Sequence, residues 1–307
     1  MVQIEEFIIG AVSTSCAGFF TNPLEVVKTR MQLQGELQAR GKYTVHYRNA
    51  LHAFYTIAKN DGFIKLQNGL IPALWYQMTM NGIRLGTYQV IVNSGFTKDK
   101  KGDVVIYKSI LAGALSGCVG ACMGSPFYMV KTHLQSQSVQ QIAVGYQHDH
   151  QSMLGAFRSV YGEGGVLGLW RGAMASMTRV MVGSAVQLTT FSKVKEAIAR
   201  KQVFAEGSAF VSLSASTISG VVVTCFMTPF DVVSTRIYNQ GLDSQGKGLL
   251  YNGVVDCYLK IFREEGLWGF YKGWGPSFLR LVPHTMLSLM FWDQLRDIYT
   301  RFKIRNV

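Results

Sequence analysis

The chain has 307 residues, of which 30 are Lys or Arg and 18 are Asp or Glu, giving a formal net charge of +12. Only 16% of residues are charged, against about 25% in a typical soluble domain. The mean hydropathy of +0.15 is too low for a bundle surrounded entirely by lipid, and indicates helices with one lipid-facing side and one wet side.

The cysteines and the N-terminus exclude two further classes of protein. The five cysteines form no CxxC pair, which argues against a disulfide framework and favours small buried thiols: Cys16, Cys118, Cys122, Cys225 and Cys257. Glu5 and Glu6 stand where a secretory signal carries basic residues, and the segment is not Arg-rich as transit peptides are. We therefore expect any targeting information to be internal. The positive charge leaves nucleic acid, anionic lipid or an anionic substrate as candidate partners.

The first predicted helix covers residues 7–24, which carry no charged side chain. Similar charge-free runs cover residues 109–130 and 207–230, and each is about long enough to span a bilayer. Small residues lie four apart at matching offsets, which lets helices approach closely in lipid: Gly10 and Thr14, Gly113 and Gly117, Ser216 and Gly220. The pattern predicts three packed membrane helices.

Each charge-free run ends at a proline that opens a related octapeptide. The octapeptides are PLEVVKTR from Pro23, PFYMVKTH from Pro126 and PFDVVSTR from Pro229, at intervals of 103 residues. We expect these prolines to kink the helices, the alternative being that they merely end them. A second landmark, a glycine that opens the next span, recurs at intervals of 103 and 101 residues: Gly69, Gly172 and Gly273. The chain is therefore predicted to consist of three tandem repeats, 1–103, 104–203 and 204–307.

Each repeat continues with a surface helix and a second span. The surface helix follows a shared pattern, in which Tyr47 and Ile57 precede Asp61 as Tyr251 and Ile261 precede Glu265. The second spans run over residues 69–96, 172–195 and 273–299. The predicted fold is an all-α membrane protein with six transmembrane helices and pseudo-threefold symmetry. A soluble helical solenoid is the alternative, but its period would be near 40 residues and the charge-free runs would be unexplained.

The second spans contain arginines, which are costly inside a membrane and normally face a cavity or a partner. Arg84, Arg179 and Arg280 are flanked by apolar residues, and no acidic residue is expected at their level. Arg179 and Arg280 occupy one repeat slot, which Tyr76 fills in the first repeat. These residues predict a central site for a small anion, with Gln187 as a further hydrogen-bonding group. A structural role, snorkelling for the arginines or helix packing for Gln187, is the alternative.

Two histidines carry weaker signals. His284 could relay protons inside the membrane, or form a packing hydrogen bond. His133 stands where Arg30 and Arg236 stand in the other repeats, so repeat position explains it better than chemistry does. The sequence shows no nucleophile elbow, phosphate loop or metal-ligand cluster, so we expect no enzyme, no cofactor and no metal.

The three octapeptides resemble the signature Pro-x-(Asp/Glu)-x-x-(Lys/Arg)-x-(Lys/Arg) of the mitochondrial carrier family, solute carrier family 25. The resemblance covers the whole chain, although Tyr128 fills the acidic slot of the second copy and Ser234 a basic slot of the third. It implies a matrix gate made of three helix-to-helix pairs: Glu25 with Lys131, Asp231 with Lys28, and the uncharged Tyr128 with Ser234.

The family's second gate, at the cytoplasmic end, is predicted to be weak. The family pairing would join Gln89 to Lys195, Ser192 to Arg296, and Asp293 to Val92. Because none of these pairs joins opposite charges, we expect the state open to the intermembrane space to be favoured. The corners Trp170-Arg171-Gly172 and Tyr271-Lys272-Gly273 are candidate cardiolipin contacts, with interfacial aromatic anchoring as the alternative.

Within the family, residues 84–88, 179–188 and 280–285 look like the oxoglutarate and dicarboxylate branch, and the sequence looks closer still to the oxaloacetate carrier and to members 34 and 35. The resemblance implies a monomeric antiporter of the mitochondrial inner membrane, with both termini facing the intermembrane space. Its substrates would be dicarboxylates such as oxaloacetate, malate or malonate, or sulfur oxoanions such as sulfate and thiosulfate. A proton or fatty-acid leak and a carrier of phosphoenolpyruvate are the alternatives, and nucleic acid is not an expected partner.

Overall fold

The computed structural model describes residues 2–39, 41–99, 105–200, 209–243 and 246–305, and within these it is helical with no β-strand. A long helix, a short helix and a long helix follow one another three times. Their bounds are α1 (Val2–Leu33), α2 (Ala50–Asn60), α3 (Leu70–Asn93), α4 (Ile106–Ser136), α5 (Met153–Leu169), α6 (Ala173–Arg200), α7 (Ala209–Asn239), α8 (Val254–Glu265) and α9 (Trp274–Arg305). The all-α repeat organisation is as predicted. The predicted repeat boundaries at 103/104 and 203/204 lie outside the described residues.

The six long helices have 24 to 32 residues, which at 1.5 Å per residue exceeds the bilayer core of about 30 Å. By length and hydropathy together, two segments of the described chain qualify as membrane spans, Ile106–Ser136 and Ile218–Asn239. The arginines and small residues of the other long helices lower their hydropathy. Six transmembrane spans therefore stay a prediction.

The repeat prolines lie inside helices. Pro23, Pro126 and Pro229 are followed by about three more helical turns, because α1, α4 and α7 continue to Leu33, Ser136 and Asn239. The alternative that the prolines merely end their helices is therefore wrong. A proline inside a helix cannot donate to the carbonyl four residues earlier. At Pro23 that carbonyl belongs to Phe19, and Gln67 Nε2 donates to it instead at 3.1 Å.

The long helices close into a ring in the order α1, α3, α4, α6, α7, α9 and back to α1. Close approach depends on small residues, as predicted for two of the motifs. A Cβ at Gly117 would lie 2.8 Å from Val180 Cγ1 of α6, and one at Gly220 would collide with Leu281 of α9. The prediction fails at Gly10, where a Cβ would meet open space.

The C-terminal ends of α1, α4 and α7 interlock cyclically. Arg30 Nε donates to the carbonyl of Gln135 at 3.2 Å, and Arg236 Nε donates to the carbonyl of Gln32, also at 3.2 Å. His133 makes the equivalent contact in the second repeat, where its Nε2 donates to a carbonyl of α7 at 2.8 Å. The repeat-position explanation of His133 is thus confirmed. Each repeat contacts the next in the same way, as pseudo-threefold symmetry requires.

The hydrophobic core lies at this same end, between the long-helix termini and the short helices. Tyr47 and Ile57 are buried in the first repeat as Tyr251 and Ile261 are in the third. Beside these clusters an ion pair joins the arginine of the long helix to the acid that ends the short helix, Arg30 to Asp61 and Arg236 to Glu265. The shared sequence pattern of the surface helices therefore corresponds to shared packing.

Replacing Gly69 by alanine is expected to destabilise the protein by about 2 kcal/mol or more. Gly69 has φ +72°, and a Cβ there would lie 2.8 Å from Gln135 Cγ and 3.0 Å from the Lys131 carbonyl oxygen. Thermal unfolding of the purified protein measures the effect. Gly162→Ala is the control, because Gly162 is helical and its Cβ would meet open space. Equal unfolding temperatures for the two variants would show that Gly69 is not needed for the close contact between the start of α3 and the end of α4.

Candidate functional site

Arg179 of α6 contacts side chains of three other long helices, α3, α4 and α7. Its Nη2 donates to the hydroxyl of Tyr76 at 2.7 Å, and its Nη1 lies 3.4 Å from Asp231 Oδ1. Its guanidinium carbon lies 5.0 Å from the centre of the Tyr128 ring, a cation–π distance. The structure thus brings together two residues of the predicted anion site, Tyr76 and Arg179.

Arg280 of α9 has a similar environment. Its Nη1 lies 3.0 Å from Glu25 Oε1. The Nε atoms of both Arg280 and Arg179 are buried and make no hydrogen bond with any part of the chain that the structure describes. A buried donor without an acceptor costs about 1–3 kcal/mol of free energy, so an acceptor that bonds to either Nε–H would be stabilising.

The expectation that no acidic residue lies at the level of the arginines is wrong. Glu25 and Asp231, assigned by the family resemblance to the matrix gate, also contact Arg280 and Arg179. Each acid lies on a helix next to that of its arginine in the ring, because α1 neighbours α9 and α7 neighbours α6. An arginine side chain is long enough to reach from one helix to the next. The candidate anion site and the predicted gate therefore share the same two carboxylates.

The two charged pairs implied by the resemblance are formed. Glu25 Oε2 lies 2.5 Å from Lys131 Nζ, and Asp231 Oδ2 lies 2.8 Å from Lys28 Nζ. All four side chains are at most 15% exposed, so breaking either pair would leave a poorly solvated charge. Their action as a gate stays a prediction.

The third implied pair, Tyr128 with Ser234, is not hydrogen-bonded. Ser234 Oγ is buried without a hydrogen-bond partner among the described residues. Tyr128 instead packs between Tyr76 and Tyr238, with ring centres 5.0 and 4.9 Å apart. Aromatic packing replaces the ion pair because neither residue of the implied pair carries a charge.

Tyr238 was missed by the sequence analysis. Its hydroxyl is 2.7 Å from Ser125 Oγ of α4, so it joins α7 to α4 in the row of three tyrosines. A departure from the repeat could have pointed to this residue, because Tyr238 occupies the position that Gln32 and Gln135 fill in the other repeats.

Two predicted substrate residues stand apart from this network. Arg84 packs its Cβ near Gly120 of α4, and within the described chain it makes no ion pair or hydrogen bond. Gln187 is exposed, and its backbone carbonyl accepts from Ser219 Oγ at 3.4 Å. Their contact with a substrate stays a prediction. His284 Nδ1 lies 3.1 Å from Thr21 Oγ1, which fits the packing interpretation of that residue.

The cytoplasmic end is described only in part. Gln89 Nε2 donates to Asn93 Oδ1 within α3 at 2.8 Å, and Arg296 lies over the Trp292 ring at 4.9 Å. The side chains of Ser192, Lys195 and Asp293 lie outside the described residues. The hypothesis of a weak gate, which also involves Val92, therefore stays a prediction.

The cations of the candidate lipid corners are directed into the protein. Lys272 Nζ contacts Glu265 Oε2 at 2.6 Å and the carbonyl oxygens of Gln34 and Gly35 at 2.8 and 3.0 Å. Burial lowers the pKa of Lys272, while Glu265 opposes that shift. Arg171 donates to the carbonyl of Gly246. Lipid contact through Trp170, Gly172, Tyr271 and Gly273 stays a prediction.

The family model for mitochondrial carrier proteins matches this chain three times, over residues 2–99, 102–202 and 205–303. The chain belongs to the mitochondrial carrier family. The three matches confirm the tandem repeats, and the carriers that this chain resembles are transporters rather than enzymes.

Individual carriers of this family are similar over nearly the whole chain. Solute carrier family 25 member 35 of Mus musculus is 52% identical over 97% of this chain and 99% of its own length. The mitochondrial oxaloacetate transport protein of Saccharomyces cerevisiae is 39% identical over 94% and 87%. The mitochondrial citrate transporter E of Aspergillus niger is also 39% identical, over 97% and 94%. The resemblance to member 35 and to the oxaloacetate carrier is thus confirmed.

Removing Glu25 is expected to destabilise this carrier more than removing Lys131. Glu25→Gln leaves Lys131 and Arg280 without their shared carboxylate, whereas Lys131→Gln leaves Glu25 paired with Arg280. Breaking a buried ion pair costs about 3–5 kcal/mol, and we expect Glu25→Gln to approach that range. Thermal unfolding at low ionic strength measures both variants.

The control for this comparison is Asp256→Asn, which removes an exposed pair with Lys260 on α8. It should change stability by less than about 1 kcal/mol. Equal losses for Glu25→Gln and Lys131→Gln would show that Arg280 does not compensate Glu25.

Proposed function

We propose that this carrier is an antiporter of the mitochondrial inner membrane that exchanges small dianions by alternating access. The observation that carries the proposal is the pair Arg179 and Arg280, each held by a carboxylate and each with a buried Nε–H that lacks an acceptor. A second anion can satisfy these donors, and guanidinium groups bind carboxylates and oxoanions in bidentate geometry.

The charge of the network supports a doubly charged substrate. Two ion clusters, each of two cations and one carboxylate, leave a charge of +1 each and +2 together. The clusters are Lys28, Arg179 and Asp231, and Lys131, Arg280 and Glu25. An excess charge in a poorly solvated site is costly, so binding is strongest for a ligand that neutralises it. A dicarboxylate or a sulfate-like oxoanion has the required charge.

Substrate binding can be coupled to the gate through the shared carboxylates. A dianion that takes the donors of Arg179 and Arg280 competes with Asp231 and Glu25 for them. The gate contacts are then rearranged, and part of the binding free energy offsets the cost of separating the helices. A ligand shifts such an equilibrium only by its differential affinity for the two states, and this competition provides that difference.

The names of the relatives support the substrate class without selecting one compound. Carriers named for oxaloacetate and for citrate are both 39% identical to this chain, and both compounds are small carboxylate anions. We therefore propose oxaloacetate, malate or malonate, or the sulfur oxoanions sulfate and thiosulfate. The proposal includes six spans, a monomer surrounded by cardiolipin, and both termini in the intermembrane space.

The test is the thermal stability of the purified protein with a panel of anions. A ligand that binds only the native state stabilises it by about 2.7 kcal/mol at a hundredfold excess over its dissociation constant. We expect one or more dianions to raise the unfolding temperature of the wild type and of Lys260→Ala, an exposed-cation control on α8. Arg179→Ala should lose that rise whatever its own baseline temperature.

Exchange in proteoliposomes then distinguishes the alternatives. Uptake of the stabilising anion only when a counter-anion is inside supports antiport. Conductance that is independent of every anion would favour a proton or fatty-acid leak, and stabilisation by phosphoenolpyruvate alone would favour that substrate. An anion-induced shift that survives in Arg179→Ala would overturn the proposed site.

A further inference from the structure

Three histidine rings lie together where α4 ends. His133 belongs to the last turn of α4, and His148 and His150 come from the loop that leads to α5. The rings of His133 and His148 are stacked with centres 3.6 Å apart, and His150 lies 5.5 and 5.4 Å from them. One nitrogen of each ring lies within 4.8 Å of the other two. The sequence does not reveal this cluster, because His133 is far along the chain from His148 and His150 and the three show no regular ligand spacing.

Hydrogen bonds set the orientation of two rings. His133 Nε2 lies 2.8 Å from the carbonyl oxygen of Tyr238, and His148 Nε2 lies 2.9 Å from that of Asn239. A carbonyl oxygen can only accept, so Nε2 carries the hydrogen in both rings and Nδ1 presents a lone pair. Metal-binding histidines are typically held in this way, with the other ring nitrogen bonded to a carbonyl or carboxylate.

Two of the remaining ring nitrogens lack partners. His133 Nδ1 and His150 Nε2 are buried and make no hydrogen bond within the described parts of the chain. A neutral imidazole with a free lone pair is a metal ligand.

The side chain of Gln137 holds the loop backbone at both loop histidines. Gln137 Nε2 donates to the carbonyl oxygens of His148 and His150, at 2.7 and 2.8 Å. The two loop histidines are therefore held beside α4 before any ligand binds, which lowers the entropy cost of binding.

The other repeats have an ion pair at the corresponding place. Arg30 and Arg236 each bind an acidic residue at the end of the following short helix. In the second repeat His133 replaces the arginine, and Glu163 accepts from Ser159 within α5 at 3.0 Å. No ion pair involving His133 is found among the described residues, and the loop histidines contact it instead.

We propose that His133, His148 and His150 form a binding site for one divalent transition-metal ion, with Zn²⁺ as the best fit. Imidazole nitrogens suit Zn²⁺, whereas Mg²⁺ and Ca²⁺ prefer oxygen ligands. Tetrahedral Zn²⁺ with bonds of about 2.0–2.1 Å requires nitrogens about 3.4 Å apart. The stacked rings of His133 and His148 would have to turn so that their Nδ1 lone pairs converge on one point, and a water molecule would supply the fourth ligand.

The metal would cross-link the end of α4 to its following loop, and through the two carbonyl contacts it would support the end of α7. It would thus perform in the second repeat what the arginine–acid pairs perform in the first and third. This role is independent of which anion the carrier moves.

Calorimetric titration with Zn²⁺ tests the site in the purified full-length protein, prepared without a polyhistidine tag and stripped with EDTA. We expect saturable binding of one ion per chain, a raised unfolding temperature, and neither effect with Mg²⁺ at the same concentration. Co²⁺ as a second probe should give the visible absorption bands of nitrogen-coordinated tetrahedral metal. Absence of saturable Zn²⁺ binding in the wild type would overturn the proposal.

Variants locate the bound ion. His148→Asn and His150→Gln should each weaken Zn²⁺ binding by about 10-fold or more. The matched control, His46→Gln, changes a loop histidine outside the cluster and should bind Zn²⁺ like the wild type. Unchanged binding in both cluster variants would place the ion elsewhere. Should His148→Asn fail to fold, His150→Gln and the wild-type Co²⁺ spectrum still decide the question.

Discussion

Two buried carboxylates hold the centre of this carrier together. Glu25 and Asp231 each pair with a lysine and an arginine from other helices, so each joins three of the six long helices of the ring. A buried charge is tolerated only when it is paired, so each carboxylate holds one cation of the predicted gate and one of the candidate anion site. Any anion that enters must therefore compete with groups that also hold the helices.

A second set of contacts lies where α1, α4 and α7 end. There the side chains of Arg30, His133 and Arg236 each donate to a backbone carbonyl of the next repeat. These bonds depend on the main chain of the acceptor, so they tolerate change in the acceptor's side chain, as the glutamine and tyrosine slots illustrate. This cyclic arrangement fixes the spacing of α1, α4 and α7, which carry Glu25, Asp231 and the lysines that pair with them.

The resemblance of the octapeptides to the family signature implied the two charged pairs, and the sequence itself predicted the repeat and the element order from the spacing of its motifs. It did not predict that Arg280 and Arg179 contact the same acids, because that depends on helix rotation and on side-chain length. It also missed the histidine cluster. His148 and His150 lie in an irregular loop, and only the folded chain brings them to α4.

The row of Tyr76, Tyr128 and Tyr238 makes the contact between α4 and α7 unlike the two charged contacts of the ring. The cost of removing charges from water falls as temperature rises, whereas hydrophobic stabilisation per unit area reaches a plateau. On warming, the two charged contacts therefore strengthen relative to the aromatic one. The difference in strength between the charged and the aromatic contacts is consequently a function of temperature, and the three repeats are equivalent in shape but not in thermodynamic response.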